Sequence, residues 1–206
     1  MFSDIAIPKN NEEKFIEIAS KLGIKKMFFL YDIDEYNEGK FETKLETILD
    51  KKIKLEIGFI VSQKNLKKAL KSQKFLAAKS SENDRFLIES KKIKLIYGLE
   101  ETSRKDYIHQ KASGLNHIIC GIARKNNVVI GFSYEGLINS EQPKSAVLMG
   151  RMMQNISLCQ KYKVKTVIGS FSGNPLDLRA PHDIAALFGK LGMNSKALKE
   201  STYFSF

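Results

Sequence analysis

The sequence predicts an α/β fold around a largely parallel sheet, and two observations carry that expectation. Seven short apolar runs recur along the 206 residues, each followed by material with helical spacing. The runs are continuous rather than alternating, the pattern of strands buried on both faces. Such a repeat builds either an open doubly wound sheet or a barrel, and the pattern alone leaves both open. A standard eightfold barrel takes roughly 250 residues, with about 200 at its lower edge, so a barrel here would be lean. The composition, 43% hydrophobic, suits one domain or at most two small ones, and a single domain over 1–206 is expected.

The elements follow in order. Phe2–Ile7 reads as a strand. Glu12–Leu22 places Phe15, Ile16, Ala19 and Leu22 on one helical face, and Gly23 ends that helix. Lys26–Tyr31 is the next strand, Phe41–Leu49 a helix and Lys54–Ser62 a strand. The basic helix Asn65–Ser72 follows, with Leu66, Ala69 and Leu70 as its buried side. Phe75–Lys79 and Ile93–Tyr97 are strands around a short helix, Asn83–Ser90, capped by Asn83 or Asp84. Ser113 is placed to cap a helix from Leu115 to Lys125. Its apolar face is Leu115, Ile118, Ile119 and Ile122, and Asn126–Asn127 end it. Val128–Phe132 is a strand. Pro143 suits the first turn of a helix over 144–161, where Met149, Met152, Met153, Ile156 and Cys159 keep helical spacing. Lys165–Ser170 is the last strand. Pro181 opens a final helix pair, divided near Gly192–Ser195.

Charge narrows the function classes. Lys and Arg number 34 against 23 acidic residues, a net +11 that attracts polyanions such as RNA, DNA or an anionic membrane. A lysine-rich, merely solvated surface gives the same balance. No apolar run reaches the length of a membrane span, and MFSDIAIPKNNEE lacks a secretory pattern, so a cytoplasmic protein is expected. The three histidines have no zinc-helix spacing, and neither CxxC nor GxSxG occurs. No catalytic residue and no metal or cofactor bound by the chain are therefore expected. A small metal-dependent barrel phosphohydrolase using Asp4 stands as the alternative. Cys120 and Cys159 read as buried small hydrophobes.

Three places suit anion binding. The basic helix presents Lys67, Lys68 and Lys71. The stretch from Arg104 interleaves Arg104, Lys105, His109 and Lys111 with Tyr107, a mixture suited to phosphate contact and base stacking. Near the C-terminus, Gly169–Pro175 offers small residues after the last strand, and Arg179 precedes a helix start. An ordinary turn, and an ion pair of Arg179 with Asp183, explain these equally well.

Longer motifs carry a resemblance. SGLNHIICGIARKNNVVIGFSY (113–134), extended upstream by RKDYIHQKASGLNH (104–117), resembles the signature of the ribonuclease P protein component 3 family. GRMMQNISLCQKYKVKTVIGSFS (150–172), RAPHDIAALFGKLGM (179–193) and the opening FSDIAIP match as well, while 35–100 is generic. The resemblance implies a distorted (β/α) TIM-like barrel with about seven parallel strands. It is similar in fold to metallohydrolases of the polymerase-and-histidinol-phosphatase type but lacks their metal ligands. It further implies a subunit of ribonuclease P, the endonuclease that removes the 5′ leader of precursor tRNA. In that enzyme the catalyst is the RNA subunit with Mg²⁺. The protein would bind that RNA, support its folding and its activity at lower Mg²⁺, and pair with the small component 2, often as a heterotetramer. By position, Arg104, Lys105, His109, Asn116, His117, Arg179 and His182 would serve RNA or partner contact. The blander roles are Ser113 as a cap, Asn116 as a loop staple and Asp106 orienting a neighbouring cation.

Overall fold

A computed structural model describes residues 2–34, 53–72, 74–107 and 111–206. The helix expected over Phe41–Leu49 and the candidate His109 lie outside the described residues. Seven strands form one sheet in chain order, every neighbouring pair parallel. They are β1 (Ser3–Ala6), β2 (Lys26–Asp32), β3 (Lys54–Ile60), β4 (Phe75–Lys79), β5 (Leu95–Tyr97), β6 (Val129–Ser133) and β7 (Thr166–Gly169). The sheet curls until its edges meet. Beyond β7, the Phe171 N–H donates to the Ile5 carbonyl at 2.7 Å, and the Ile7 N–H donates to the Ser172 carbonyl at 2.9 Å. The result is a nearly closed seven-stranded barrel, which decides between the two architectures the sequence left open.

Closure explains the continuous apolar runs. Alternate residues serve two cores: Ile5, Phe28, Leu30, Leu95 and Val167 fill the interior. Their neighbours Ala6, Phe29, Ile96 and Ile168 pack outward beneath the helices. The described helices are α1 (Glu12–Lys21), α2 (Leu66–Ala69), α3 (Asp84–Glu89), α4 (His117–Lys125), α5 (Glu135–Ile138), α6 (Lys144–Tyr162), α7 (Pro181–Lys190) and α8 (Ser195–Thr202).

The interior is plugged at both ends. Where strands begin, Phe204 stacks on Phe28 at 5.1 Å and Phe206 stacks on Phe75 at 4.7 Å. Ser3 Oγ ties the Phe204 carbonyl at 3.0 Å. Where strands end, Phe171 stacks on Tyr97 with ring centroids 4.4 Å apart. Gly131 makes room for that pair, because a Cβ there would lie 2.9 Å from both residues. The mouth that barrels use for catalysis is thus occupied by aromatic rings.

Three expectations change. The cap of the central helix is Asn116, whose Oδ1 accepts from the Ile119 N–H at 2.9 Å, and the helix begins at His117; Ser113 faces α6 instead. Ile118 is about half exposed, since the helix starts later and turns it outward. Leu70 is also exposed, because the basic helix tightens after Ala69 into a 3₁₀ turn, Leu70–Ser72. On α6 the expected helical spacing holds: Met152, Ile156 and Cys159 are buried, and Met149 and Met153 at the edge of the same face reach solvent.

Candidate nucleic-acid interface

After β5 the chain makes a 3₁₀ turn, Leu99–Glu101, and the described residues 102–107 and 111–116 before α4 form no helix or strand. One face of α6 holds that segment. Arg151, Gln154 and Asn155 are spaced i, i+3, i+4 and so point together. The Arg151 guanidinium donates to Asp106 Oδ1 at 2.9 Å and to the carbonyls of Glu100 at 3.1 Å, Thr102 at 2.7 Å and Arg104. Gln154 Nε2 donates to the Lys111 carbonyl at 3.1 Å and to Ser113 Oγ at 2.7 Å; Asn155 Nδ2 donates to the Ser113 carbonyl at 2.8 Å. Asp106 Oδ1 also accepts from the Ala112 N–H at 2.8 Å, drawing the two arms of the loop together. Burial opposes ionisation there, but the Ala112 N–H and the adjacent guanidinium hold the Asp106 carboxyl below the usual carboxylate range.

The clamp leaves the cations free to face outward. Arg104, Lys105 and Lys111 are exposed and, with Tyr107 and the Asn116 cap, line a cavity of about 470 Å³. Tyr107 is 79% exposed. Gly114 is indispensable to this geometry: its φ is +77°, and a Cβ would meet the Leu99 carbonyl oxygen at 2.2 Å. Cations around an exposed ring can hold phosphates and stack a base.

The other candidates sit elsewhere. His117, first residue of α4, and His182, second residue of α7, are both exposed. Lys67, Lys68 and Lys71 follow β3, two strands from the loop; Lys68 pairs with Asp34 at 2.9 Å, both well exposed. Arg179 donates to the carbonyls of Leu176 at 2.8 Å and Leu178 at 2.9 Å, closing a turn rather than meeting Asp183. The Gly169–Pro175 stretch is no phosphate cradle. The N–H groups of Ser170, Phe171 and Asn174 already donate to Asp4, Ile5 and Ser172.

Asp4 is structural. It is buried and accepts from Tyr134 Oη at 2.7 Å, and from the Ile5 and Ser170 N–H groups at 2.6 Å each, tying β1 to β6 and β7. Burial nevertheless pushes its pKa up to about 6. Glu100, fully buried, has carboxylate oxygens without a hydrogen-bond partner among the described residues, and burial pushes it up to about 8. Among the described residues no three His, Cys, Asp or Glu side chains group to hold a metal ion. Cys120 and Cys159 are buried free thiols, as expected. Sequence reasoning missed Arg151, Gln154 and Asn155. Their signal was a polar i, i+3, i+4 set on an otherwise Met-rich helix.

Fold and loop together define an α/β barrel with an occupied mouth and a clamped basic loop. Residues 1–202 match the family described as RNase P subunit p30. The chain belongs to that family. It is 22% identical over 201 residues to a ribonuclease P protein component 3 of Methanococcus maripaludis, covering 93% of this chain and 84% of that one. It is 30% identical over 95 residues to the Thermococcus kodakarensis protein of the same name, covering 46% and 43% of the two chains. In fold it is similar to a chain in a cryo-EM structure of archaeal ribonuclease P with mature tRNA. The TM-score is 0.80 at 22% identity, over 96% of this chain and 85% of that chain. It is also similar to a crystallised amidohydrolase, with a TM-score of 0.59 at 7% identity, over 98% and 71% of the two chains.

Proposed function

We propose that this chain is a protein subunit of ribonuclease P and works by binding and ordering RNA. The observation that carries the reading is the family match over 1–202, nearly the whole barrel. The clamped loop supports it, since the α6 clamp fixes the backbone while leaving Arg104, Lys105, Lys111 and Tyr107 presented to solvent. Bond breaking then belongs to the RNA subunit and its Mg²⁺, and this chain carries no cofactor of its own. The phosphohydrolase alternative is disfavoured, because Asp4 is engaged by three donors inside the barrel wall. We assign the complex to the cytoplasm; no helix among the described residues is long and apolar enough to cross a membrane. The nearest protein partner in this reading is the small component 2, in a heterotetramer.

Cleavage of precursor tRNA at limiting Mg²⁺ tests this. Ribonuclease P RNA from the same organism is compared with and without this chain plus the small component, beside a protein-only control. Cleavage at the mature 5′ end that requires the RNA and rises with the proteins is expected. Cleavage by protein alone, or no effect of the pair, refutes the reading.

A further inference from the structure

Lysines recur where the strands enter the barrel. Five of the seven strands begin with a lysine or directly after one: Lys26, Lys54, Lys74, Lys94 and Lys165. Because all strands run parallel and in order, these positions fall on one end of the barrel, where strands enter. The strand exits carry Asp32, Asp34, Glu101 and Glu135 beside the exposed Arg104, Lys105 and Lys111 of the loop after β5. Two further cations there, Lys68 and Lys79, are paired with Asp34 and Glu101 at 2.9 and 3.1 Å.

At the entry end, Lys26 and Lys54 share Glu56, at 2.9 and 3.3 Å. Lys94, Lys163, Lys165 and Lys196 form no ion pair among the described residues. The last three rim a cavity of about 690 Å³ between the end of α6, the start of β7 and α8. Ile156, Met193 and Phe204 give it an apolar floor, the half-exposed Tyr203 ring stands at its edge, and Glu200 is the one acidic side chain among its lining residues. Its size falls within the range of about 300–1,000 Å³ of small-ligand pockets. Lysines beside an apolar cavity with an aromatic wall match a phosphate carrying an unstacked base.

We propose that the strand-entry end of the barrel is a second RNA-docking face. Lys163, Lys165 and Lys196 hold backbone phosphates there, and one base enters the cavity against Tyr203. This rests on reading the chain as an RNA-binding subunit, and it places RNA on both ends of the barrel rather than on the loop alone.

The test is binding of the full chain to ribonuclease P RNA from the same organism across a KCl series. Two variants are compared: Lys163→Glu/Lys165→Glu/Lys196→Glu, and Arg104→Glu/Lys105→Glu. The entry-end variant is expected to lose at least about tenfold in affinity. Its log–log salt slope should flatten by about 2 to 3, at roughly 0.7–0.9 per lost phosphate contact. Tyr203→Ala should lose about fivefold; unchanged affinity there overturns the base insertion. Lysine acetylation of the unaltered chain, with and without RNA, gives a readout independent of variant folding. Protection of Lys163, Lys165 and Lys196 supports the face, and equal labelling overturns it. An entry-end variant with native affinity and slope, beside a loop variant that loses both, overturns this face while the RNA-binding reading stands. No salt-dependent binding by the native chain defeats that reading itself.

Discussion

Arg151→Met is the most direct challenge to the clamp. Methionine conserves most of the volume and the helix propensity, so the change isolates the guanidinium. Four hydrogen bonds disappear, three of them to carbonyls of the 100–104 segment. Bonds to a charged donor contribute about 1.5–3 kcal/mol each, but a simple sum overshoots. The Thr102 and Arg104 carbonyls regain water once the loop opens. The Asp106 side chain, 24% exposed against 8% for Arg151, is partly screened. The Glu100 carbonyl is the group left buried. A net cost of about 3 kcal/mol follows. At 2–4 °C per kcal/mol for a chain this size, that lowers Tm by about 6–12 °C. Circular dichroism melts and amide hydrogen exchange read the two consequences. The Ala112 amide, bonded to Asp106 in the native protein, should exchange faster along with its loop neighbours. A Tm change below about 2 °C with unaltered exchange over 102–116 would refute the clamp.

Gly114→Ala should displace the loop, since both the positive φ and the Leu99 carbonyl oppose a methyl group; loss of RNA affinity exceeding that of Gly121→Ala, where a Cβ meets nothing within 4 Å, checks it. Asp4 and Glu100 hold pKa values near 6 and 8, above their ordinary 3.8 and 4.5. The folded protein therefore keeps these protons longer than the unfolded chain, and stability declines as pH rises toward those values. Relative to Asp4→Asn, the native protein should lose up to about 3 kcal/mol between pH 4 and 6. Relative to Glu100→Gln, the loss should continue to about pH 8; denaturant melts giving parallel pH profiles for native and variant would contradict both. Phe204→Ala empties the strand-entry plug and should cost about 3–5 kcal/mol, measured by urea unfolding.

All seven strands were legible within two or three residues, because a strand buried on both faces leaves a short uninterrupted apolar run, rich here in Ile, Val and Phe. Closure was not legible as physics. It depends on Asp4 meeting Tyr134 and Ser170, partners 130 and 166 positions away, which no local pattern reports. The motif from 104 to 117 marked the right loop but not how it is held. Ser113 and Asn116 both suit a cap, and Gly114, turning at φ +77°, gives the role to Asn116. Arg179 was ambiguous in the sequence because carbonyl acceptors leave no trace in side-chain identity. The small residues after β7 suggested an anion cradle, yet their amides close the barrel.

The entry plug bears on the order of events during synthesis. Phe204 and Phe206 complete an interior whose first wall, β1, is made almost 200 residues earlier. A ribosome releases the chain from its N-terminal end, so strands and helices emerge with the centre of the barrel still wanting those rings. The nascent barrel must wait, exposing apolar walls, until residues 204–206 have cleared the exit. Polypeptides cut short of Phe204 should therefore be recognised and degraded rather than persist as partial subunits competing for RNA.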